Sequence, residues 1–455
     1  MIYKRIKAEG LAHLSYVIGS ENEAVIIDPR RDCQIYIDIA KQEEIEIQYI
    51  FETHRNEDYV VGSLELANLT GAEIFHGPWP DFRYGKPLTE GQTFNIGHLK
   101  VTAIYTPGHT PGCMSYAVAD LASGEEVVLV CTGDALFVND VGRTDFGGLG
   151  KRREWSENLY RSIFQKLLPL GDHVILCPAH GSGSVCGANI AEREWSTLGL
   201  ERLMNPLLQL SKEQFIERKV NEHHEIPPYF RKMEQYNLEG PPILRNLPEP
   251  RLLSPLEFQE LMDNGAVAVD TRTPPAFGSA NINGSYSIWL GGIPTFAGWV
   301  LPYDQPILLV LKEREQLEMA VRYLFRIGYD ALEGYILGVE AWSAKALPLQ
   351  HLSLLTIQEL KARLDKGDDL TLLDVRSDEE WNSERIEGAI HMYVGHIEEH
   401  INEILTDQTT AVICSIGNRA SLGASILQRK GYTDLHVVLG GMFAWQNAGY
   451  NVIKS

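Results

Sequence analysis

Four short motifs in the first half of the chain place polar side chains at the ends of predicted strands. The apolar run Ile47–Phe51 predicts a buried strand, which ends shortly before Thr53 and His54. Three further polar residues each follow a similar apolar run: His109, Asp134 and His180. One such residue alone is more often part of a turn, but four together favour a site, because sites in layered α/β folds collect at strand ends. Imidazoles and a carboxylate at one such edge predict a metal centre.

The four motifs, THxxxD, TPGHTPG, TGDALF and PAHG, resemble in this order those of the metallo-β-lactamase fold. The usual first motif of that fold is THxHxDH, whereas this chain reads Thr53-His-Arg-Asn-Glu-Asp-Tyr59. Asn56 and Tyr59 stand where the resemblance implies one imidazole ligand for each of two metals. The resemblance therefore implies an αββα domain of the α/β class, and the two substitutions indicate that it does not hold two metals.

The ligand set that remains comprises His54, His109 and Asp134. Two imidazoles and one carboxylate with open positions are typical of non-haem iron sites that react with O₂. Within this fold the chain resembles the persulfide dioxygenases, whose run GRTDF stands here as Gly142–Phe146. That resemblance implies one Fe(II) per chain at the three residues, with zinc as the alternative metal.

The resemblance also implies roles for residues around the metal. Asp58 and His180 are expected to support the ligands from behind, without binding the metal themselves. Arg143, in the GRTDF run, is expected to bind a carboxylate or phosphate of the substrate, because arginine makes bidentate contacts to such groups. A structural salt bridge between Arg143 and Asp145 is the alternative.

Length and composition limit the classes of protein to which the chain can belong. Its 455 residues predict two to four domains. The net charge of −21 argues against nucleic acid or an anionic membrane as a partner. No apolar run approaches the roughly 20 residues of a membrane span, and residues 1–7 are not followed by the apolar segment of a signal peptide. Six cysteines without metal or disulfide spacing favour a reducing cytoplasm. As a separate expectation, the chain forms a homo-oligomer.

The chain beyond residue 250 contains a repeat of domain size. Val269-Asp-Thr-Arg272 matches Leu373-Asp-Val-Arg376 at an offset of 104 residues, and Gly338–Trp342 matches Gly441–Trp445 at an offset of 103 residues. Proline-rich stretches between about 220 and 250 predict a linker before the repeat. We therefore predict three domains, at residues 1–245, 251–350 and 351–455. Both later domains resemble rhodanese domains, which implies α/β folds with parallel sheets.

A cysteine in the last domain stands in a loop suited to nucleophilic chemistry. Ala411–Ile413 predicts a strand, after which Cys414-Ser-Ile-Gly-Asn-Arg419 leads into a predicted helix. Backbone N–H groups converge at such a helix start, and together with Arg419 they favour the thiolate form of Cys414. The spacing CxxxxR resembles that of rhodaneses, whereas the related dual-specificity phosphatase loop is one residue longer. The resemblance implies that Cys414 carries a persulfide, with Arg419 in a catalytic role and Gly417 among the residues that bind substrate.

The matching position in the preceding domain lacks this nucleophile. Leu311 stands 103 residues before Cys414, in the run Leu308-Leu-Val-Leu-Lys312, where no glycine-bearing loop follows. We predict that this domain is catalytically silent and serves as a spacer or a docking domain.

Three functions from different classes are compatible with these features. In the first, the N-terminal domain oxidises a thiol persulfide to sulfite with O₂ at Fe(II), while the Cys414 domain moves sulfur among persulfide, sulfite or thiosulfate, and thiols. The second is a glyoxalase-type thioester hydrolase, in which a metal-bound hydroxide attacks a carbonyl. The third is a sulfur carrier whose N-terminal domain has lost its metal. We favour the first, because Asn56 and Tyr59 argue against the two metals usual in the second; glutathione, coenzyme A and bacillithiol all remain compatible as the thiol.

Overall fold

The structure is a computed structural model that describes residues 1–187, 189–404 and 408–454. The chain forms two compact units: one consists of Met1–Leu247 with Phe325–Gly328, and the other of Pro248–Leu324 with Tyr329–Ser455. Within the described ranges, no helix combines the length and the apolar character that crossing a membrane requires.

The first unit contains two six-stranded sheets that follow one another along the chain. The first sheet consists of β1 Ile2–Ala8, β2 His13–Ser20, β3 Glu23–Ile27, β4 Glu46–Phe51, β5 Glu73–His76 and β6 Lys86–Pro87. The second consists of β7 Thr93–Ile96, β8 Leu99–Tyr105, β9 Met114–Asp120, β10 Val127–Gly133, β11 Ile175–Pro178 and β12 Ser196–Thr197. Neighbours in each sheet are neighbours in sequence; β3 to β6 are parallel, and so are β10 and β11.

The two sheets pack face to face around one hydrophobic core. In β8 the alternate residues Leu99, Val101 and Ala103 are buried while Lys100 is exposed, which is the pattern of a strand with one face on a core. Val101 shares its cluster of buried side chains with Phe51 of the first sheet.

Helices cover the outer faces of both sheets. The helices of this unit are α1 Gln34–Glu43, α2 Ser63–Thr70, α3 Arg152–Arg161, α4 Leu198–Met204, α5 Lys212–Val220 and α6 Phe230–Glu239. Tyr36 of α1 and Leu66 of α2 pack in one cluster with the first sheet, and Leu159 of α3 and Phe215 of α5 pack in another with the second. The layers therefore follow the order helix, sheet, sheet, helix, as the sequence predicted.

The second unit contains two five-stranded parallel sheets. The strands and helices of its first half are β13 Arg251–Leu252, α7 Pro255–Asp263, β14 Val267–Asp270, α8 Pro274–Ser279, β15 Asn281–Ile282, β16 Tyr286–Ser287, α9 Ile293–Val300, β17 Ile307–Leu311, α10 Leu317–Arg326, β18 Leu332–Leu337, α11 Glu340–Ala344 and β19 Leu349–Gln350. Those of its second half are β20 Ser353–Leu355, α12 Ile357–Lys366, β21 Leu370–Asp374, α13 Asp378–Ser383, β22 Glu384–Arg385, β23 Ile390–His391, β24 Thr409–Ile413, α14 Asn418–Arg429, β25 Leu435–Val438, α15 Gly441–Asn447 and β26 Ile453–Lys454. The orders β13-β18-β17-β14-β16 and β20-β25-β24-β21-β23 place the strands of the two halves in equivalent positions.

The register of these sheets aligns the two halves residue by residue. The pairs at the equivalent strand ends are Asp270 with Val310 and Asp374 with Ile413. The next residues along β17 and after β24 are Leu311 and Cys414, so the structure places Leu311 at the position of the cysteine, as the sequence offset predicted.

The matching Asp-x-Arg motifs form the same buried contact in both halves. Arg272 donates from Nη2 to Asp270 at 2.6 Å, and Arg376 donates from Nη2 to Asp374 at 2.7 Å. Each guanidinium also donates to a backbone carbonyl eight residues further on. These arginines therefore fix the turn after a central strand, and the layered α/β class with parallel strands is confirmed.

Candidate metal centre and cysteine loop

The four strand-end motifs of the first unit meet in one buried cluster. The side chains involved follow β4, β8, β10 and β11, and they are His54, His109, Asp134 and His180. None of the four is more than 1% exposed. The structure thus brings together every residue that the sequence predicted as a ligand, and it places His180 beside them.

Three atoms of this cluster point at a common position. Nε2 of His54 lies 3.7 Å from Oδ2 of Asp134, and Nε2 of His109 lies 3.5 Å from the same oxygen. In the described part of the chain, none of these three atoms has a hydrogen-bond partner. Buried polar atoms are rarely left unpaired, so convergent unpaired acceptors fit a metal ion.

Hydrogen bonds at Nδ1 fix the position of the proton on the rings of His54 and His109. Nδ1 of His109 donates to the carbonyl of Arg143 at 2.9 Å. The Thr53 hydroxyl donates to Asp28 at 2.7 Å, so its oxygen is left to accept from Nδ1 of His54 at 2.9 Å. Both rings therefore present an unprotonated Nε2, the tautomer that a metal ligand needs. Burial lowers the pKa of His54 to about 4, which keeps that ring neutral.

His180 lies between two carboxylates. Its Nδ1 lies 2.8 Å from Oδ1 of Asp134, and its Nε2 lies 3.1 Å from Oδ2 of Asp58. Burial opposes a charge here, but the two carboxylates outweigh it and raise the pKa of His180 well above its usual value. Its contact with Oδ1 leaves Oδ2 of Asp134 turned toward His54 and His109, and the supporting role of His180 and Asp58 stays a prediction.

The cysteine loop of the second unit surrounds its sulfur with backbone. Cys414 follows β24 and is 1% exposed, and the N–H of Gly417 donates to its Sγ at 3.1 Å. Gly417 has φ of +109°, a conformation that other residues rarely adopt, so the glycine lets the loop turn its N–H toward the sulfur. Helix α14 begins directly after it, and the geometry suits stabilisation of a thiolate or a persulfide anion.

Arg419 is held by an acidic residue that the sequence patterns did not reveal. Its guanidinium donates to both oxygens of Glu380, at 2.6 and 2.8 Å, and to the Ser415 hydroxyl at 2.7 Å. Burial raises the pKa of Glu380, but Arg419 and Ser415 outweigh that effect and lower it to about 2. Glu380 lies on α13, 39 residues before Arg419, so no local spacing could have linked the two.

Two family models match separate parts of the chain. One, described as the metallo-beta-lactamase superfamily, matches residues 8–180, and the other, described as a rhodanese-like domain, matches residues 356–448. The chain carries a metallo-β-lactamase domain and a C-terminal rhodanese-like domain. The metal cluster lies in the first of these domains and the Cys414 loop in the second.

Several proteins of known class are similar to the metallo-β-lactamase part. The mitochondrial persulfide dioxygenase ETHE1 of Mus musculus is 29% identical over 239 residues, which cover 51% of this chain and 83% of that protein. The human protein of the same name is 28% identical over 210 residues, covering 44% and 74% of the two chains. Hydroxyacylglutathione hydrolase GloC of Haemophilus influenzae is 28% identical over 216 residues, covering 43% and 91%.

A solved structure extends the similarity beyond the first domain. The crystal structure of a metallo-beta-lactamase from Staphylococcus aureus subsp. aureus COL is 27% identical, with a TM-score of 0.67, and it covers 74% of this chain and 99% of that one. Similarity to persulfide dioxygenases together with a rhodanese-like domain supports a role in sulfur metabolism.

The position of Arg143 in the metallo-β-lactamase domain favours a structural salt bridge with Asp145 over binding of a substrate anion. The residue is 1% exposed, and its Nε and Nη2 each donate to Asp145 at 2.7 Å. Its Nη1 donates to two backbone carbonyls, and its guanidinium lies over the ring of Phe146. These contacts use four of the five guanidinium N–H groups and favour the salt bridge with Asp145, while binding of a substrate anion stays a prediction.

We expect Arg143→Ala to lower the free energy of unfolding by about 3–5 kcal/mol, because it leaves Asp145 buried without its partner. Urea unfolding of the full chain measures this. The matched control is Arg153→Ala, which removes an exposed pair with Glu217 and should change stability by less than about 0.5 kcal/mol. Unchanged unfolding combined with a raised KM for a persulfide would restore the binding role.

Two further buried groups at the metal cluster were not singled out by the sequence. Glu57 faces His54 and His109, and Sγ of Cys186 lies within 4.8 Å of ligand atoms of Asp58 and His180. Glu57 stands inside the THRNED motif, where an acidic neighbour of the substituted Asn56 was an available signal. Cys186 carries no such signal, because it follows His180 by six residues in a segment without a recognisable motif.

A cleft leads toward the cluster from the His109 side. It has a volume of about 290 Å³, and its walls include Thr110 and Phe146. Thr110 is the neighbour of His109 in the chain, and the ring of Phe146 stands edge-on to the His109 ring at 5.3 Å. Arg55 and Lys151 line the walls together with the acidic Glu234, so the cleft carries charges of both signs.

Proposed function

We propose that the metallo-β-lactamase domain oxidises the persulfide of a small thiol with O₂, using one Fe(II) held by His54, His109 and Asp134. One persulfide, one O₂ and one water give one free thiol, one sulfite and two protons. The terminal sulfur is oxidised, O₂ is reduced, and the sulfur–sulfur bond breaks so that the carrier leaves as a thiol.

The observation that carries this proposal is the set of three unpaired ligand atoms that converge at His54, His109 and Asp134. Two imidazoles and one carboxylate form the donor set of many non-haem iron oxygenases. His180 and Asp58, which in a dinuclear centre would bind the second metal, are engaged with each other and with Asp134 at 3.1 and 2.8 Å.

Iron bound at this position would supply the redox chemistry that allows O₂ to react with sulfur. The residues of the chain bind, orient and exclude water. Thr53 and the Arg143 carbonyl keep both rings in the required tautomer, and His180 fixes the carboxylate of Asp134. The cleft lined by Thr110 and Phe146 is the proposed path of the persulfide, with glutathione, coenzyme A and bacillithiol as candidate thiols.

The rhodanese-like domain would transfer sulfur through Cys414. Its thiolate attacks the outer sulfur of thiosulfate, the sulfur–sulfur bond of thiosulfate breaks, sulfite leaves, and Cys414 becomes a persulfide. A thiol then takes the outer sulfur in a second exchange, which regenerates the thiolate. The Gly417 N–H and the start of α14 stabilise the anion in both steps.

We propose further that residues 251–350 form a separate rhodanese-like domain without catalytic activity. The equivalent strand orders and the aligned Asp-x-Arg contacts support this division, and Leu311 at the cysteine position cannot act as a nucleophile. Because both sites belong to one chain, each works at a high effective concentration relative to the other, which favours local transfer of sulfur.

A glyoxalase-type thioester hydrolase is the second candidate function. Similarity to the hydrolase GloC over 91% of its length favours it. Such a reaction uses a metal-bound hydroxide to attack a carbonyl. Asn56 and Tyr59, which stand where the two-metal motif has imidazoles, argue against it.

Metal analysis of the anaerobically purified chain distinguishes the candidates. We expect about one equivalent of iron, because Asn56 and Tyr59 remove one imidazole from each site of the two-metal motif and leave His54, His109 and Asp134. Consumption of O₂ with a small persulfide should accompany it. Two equivalents of zinc with thioester hydrolysis would support the hydrolase instead, and a chain that binds no metal would be a sulfur carrier.

A further inference from the structure

Glu57 is a buried carboxylate, and one of its two oxygens accepts no hydrogen bond from its own loop. The side chain is fully buried, and its Oε1 accepts from Arg55 at 3.2 Å. Its Oε2 has no hydrogen-bond partner in the part of the chain that the structure describes. That oxygen lies 3.8 Å from Nε2 of His109, too far for a hydrogen bond and in the direction of the metal cluster.

The spacing of the unpaired atoms matches a shared ion. The atoms are Nε2 of His54, Nε2 of His109, Oδ2 of Asp134 and Oε2 of Glu57. Nε2 of His109 lies 3.5 Å from Oδ2 of Asp134 and 3.8 Å from Oε2 of Glu57, and Nε2 of His54 lies 3.7 Å from Oδ2 of Asp134. Four ligand atoms at about 2.1 Å from a metal in a tetrahedral arrangement lie about 3.4 Å apart. Hydrogen-bonded pairs would instead lie near 2.9 Å.

We infer that Glu57 is a fourth protein ligand of the metal in the proposed centre, and that it compensates for Asn56 in the first motif. The inference rests on the metal site of the proposed function but not on its reaction. Asn56 itself donates from Nδ2 to the carbonyl of His54 at 3.3 Å. The adjacent carboxylate reaches the cluster from the same loop and supplies a ligand of a different chemical type.

The replacement changes the charge of the centre. Two carboxylates, from Glu57 and Asp134, neutralise a divalent cation, whereas a centre with three imidazoles and one carboxylate would keep one positive charge. Removing the Glu57 charge should therefore weaken binding strongly. Mutation of a residue that hydrogen-bonds to a metal ligand already lowers metal affinity by about 10–100-fold. Loss of a direct ligand should therefore lower it by at least about 100-fold.

The test measures the affinity of the metal-free full chain for Fe(II) under anaerobic conditions, and for Co(II), by competition with a coloured chelator. Glu57→Gln keeps the shape of the side chain and should weaken binding of both ions by at least about 100-fold. The matched control is the neighbouring Asn56→Ala, which should change the affinity by less than about threefold. The thermal midpoint of each metal-free variant checks its fold.

A second variant strengthens the test. Adding Asn56→His to Glu57→Gln supplies an imidazole from the same loop and should restore a large part of the lost affinity. If Glu57→Gln does not fold, Glu57→Asp replaces it, and its shorter reach should also weaken binding.

Three outcomes would contradict the inference, and they are distinguishable. Unchanged affinity in Glu57→Gln, with wild-type chain binding one equivalent, overturns the role of Glu57 and leaves the proposed function intact. Weakened binding in Asn56→Ala alone assigns the position to the Asn56 amide and likewise overturns it. No metal bound by the wild-type chain refutes the proposed centre and the inference together.

Discussion

Cys414→Ser should abolish transfer of sulfur from thiosulfate to a thiol, with a fall in kcat/KM of at least about 10³-fold. The Cys414 thiolate is the nucleophile of the first exchange and the leaving group of the second, and a serine hydroxyl is too weakly acidic and too poor an acceptor of sulfur to replace it. The other five cysteines lie outside the loop, and burial raises the pKa of Cys33 and Cys186 well above the usual value. Assays of thiosulfate consumption and of sulfite release measure the loss.

The same variant should consume O₂ with a small thiol persulfide at a rate within about twofold of wild type, because the metal cluster lies in a separate domain. The matched control is Cys33→Ser, which replaces another buried cysteine, far in sequence from the Cys414 loop. It should retain both sulfur transfer and O₂ consumption. If Cys414→Ser also stopped O₂ uptake from a free persulfide, the substrate of the first domain would be the protein-bound persulfide on Cys414.

The metal cluster could be predicted from the sequence because its residues follow a rule of strand topology. Each of the four motifs combines an apolar run with a turn, and the strands that precede them end where loops of the two sheets meet. The identity of His54, His109 and Asp134 as neighbours follows from that rule and from the resemblance. Their tautomers do not, because they depend on the carbonyl of Arg143 and on Asp28, which lie 34 and 26 residues from the rings that they orient.

Long-range contacts explain most of what the sequence missed. Glu380 is distant in sequence from Arg419, and only the fold of α13 beside the cysteine loop brings its carboxylate to the guanidinium. The salt bridge of Arg143 with Asp145 was one of the two roles that the sequence left open, and burial of the pair favours it, while binding of a substrate anion stays a prediction. By contrast, the match of Leu311 to the position of Cys414 was predictable, since the repeat offset of 103 residues reappears in the equivalent registers of the two sheets. The catalytic silence of that domain stays a prediction.

His109→Ala should abolish both iron binding and O₂ consumption, with a loss of activity of at least about 10³-fold. It removes one of the two imidazoles whose unpaired Nε2 faces Asp134 at 3.5 Å. Asp134→Asn, which keeps the shape of that side chain, should have the same effect because it removes charge and releases His180. Iron analysis and an oxygen electrode measure the loss, while thiosulfate sulfurtransferase activity through Cys414 should stay within about twofold of wild type.

The control for the histidine variant is His98→Ala, which removes an exposed imidazole paired with Glu21 at 2.9 Å and should change neither iron content nor O₂ uptake. Retention of one iron and of full O₂ consumption in His109→Ala would place the metal elsewhere, most directly at Asp58, His180 and Cys186. Loss of sulfurtransferase activity in Asp134→Asn would show instead that folding of the two domains is coupled, which the thermal midpoint of that variant would reveal independently. The reciprocal pattern, in which each variant loses one activity and keeps the other, is what separate iron and cysteine sites require.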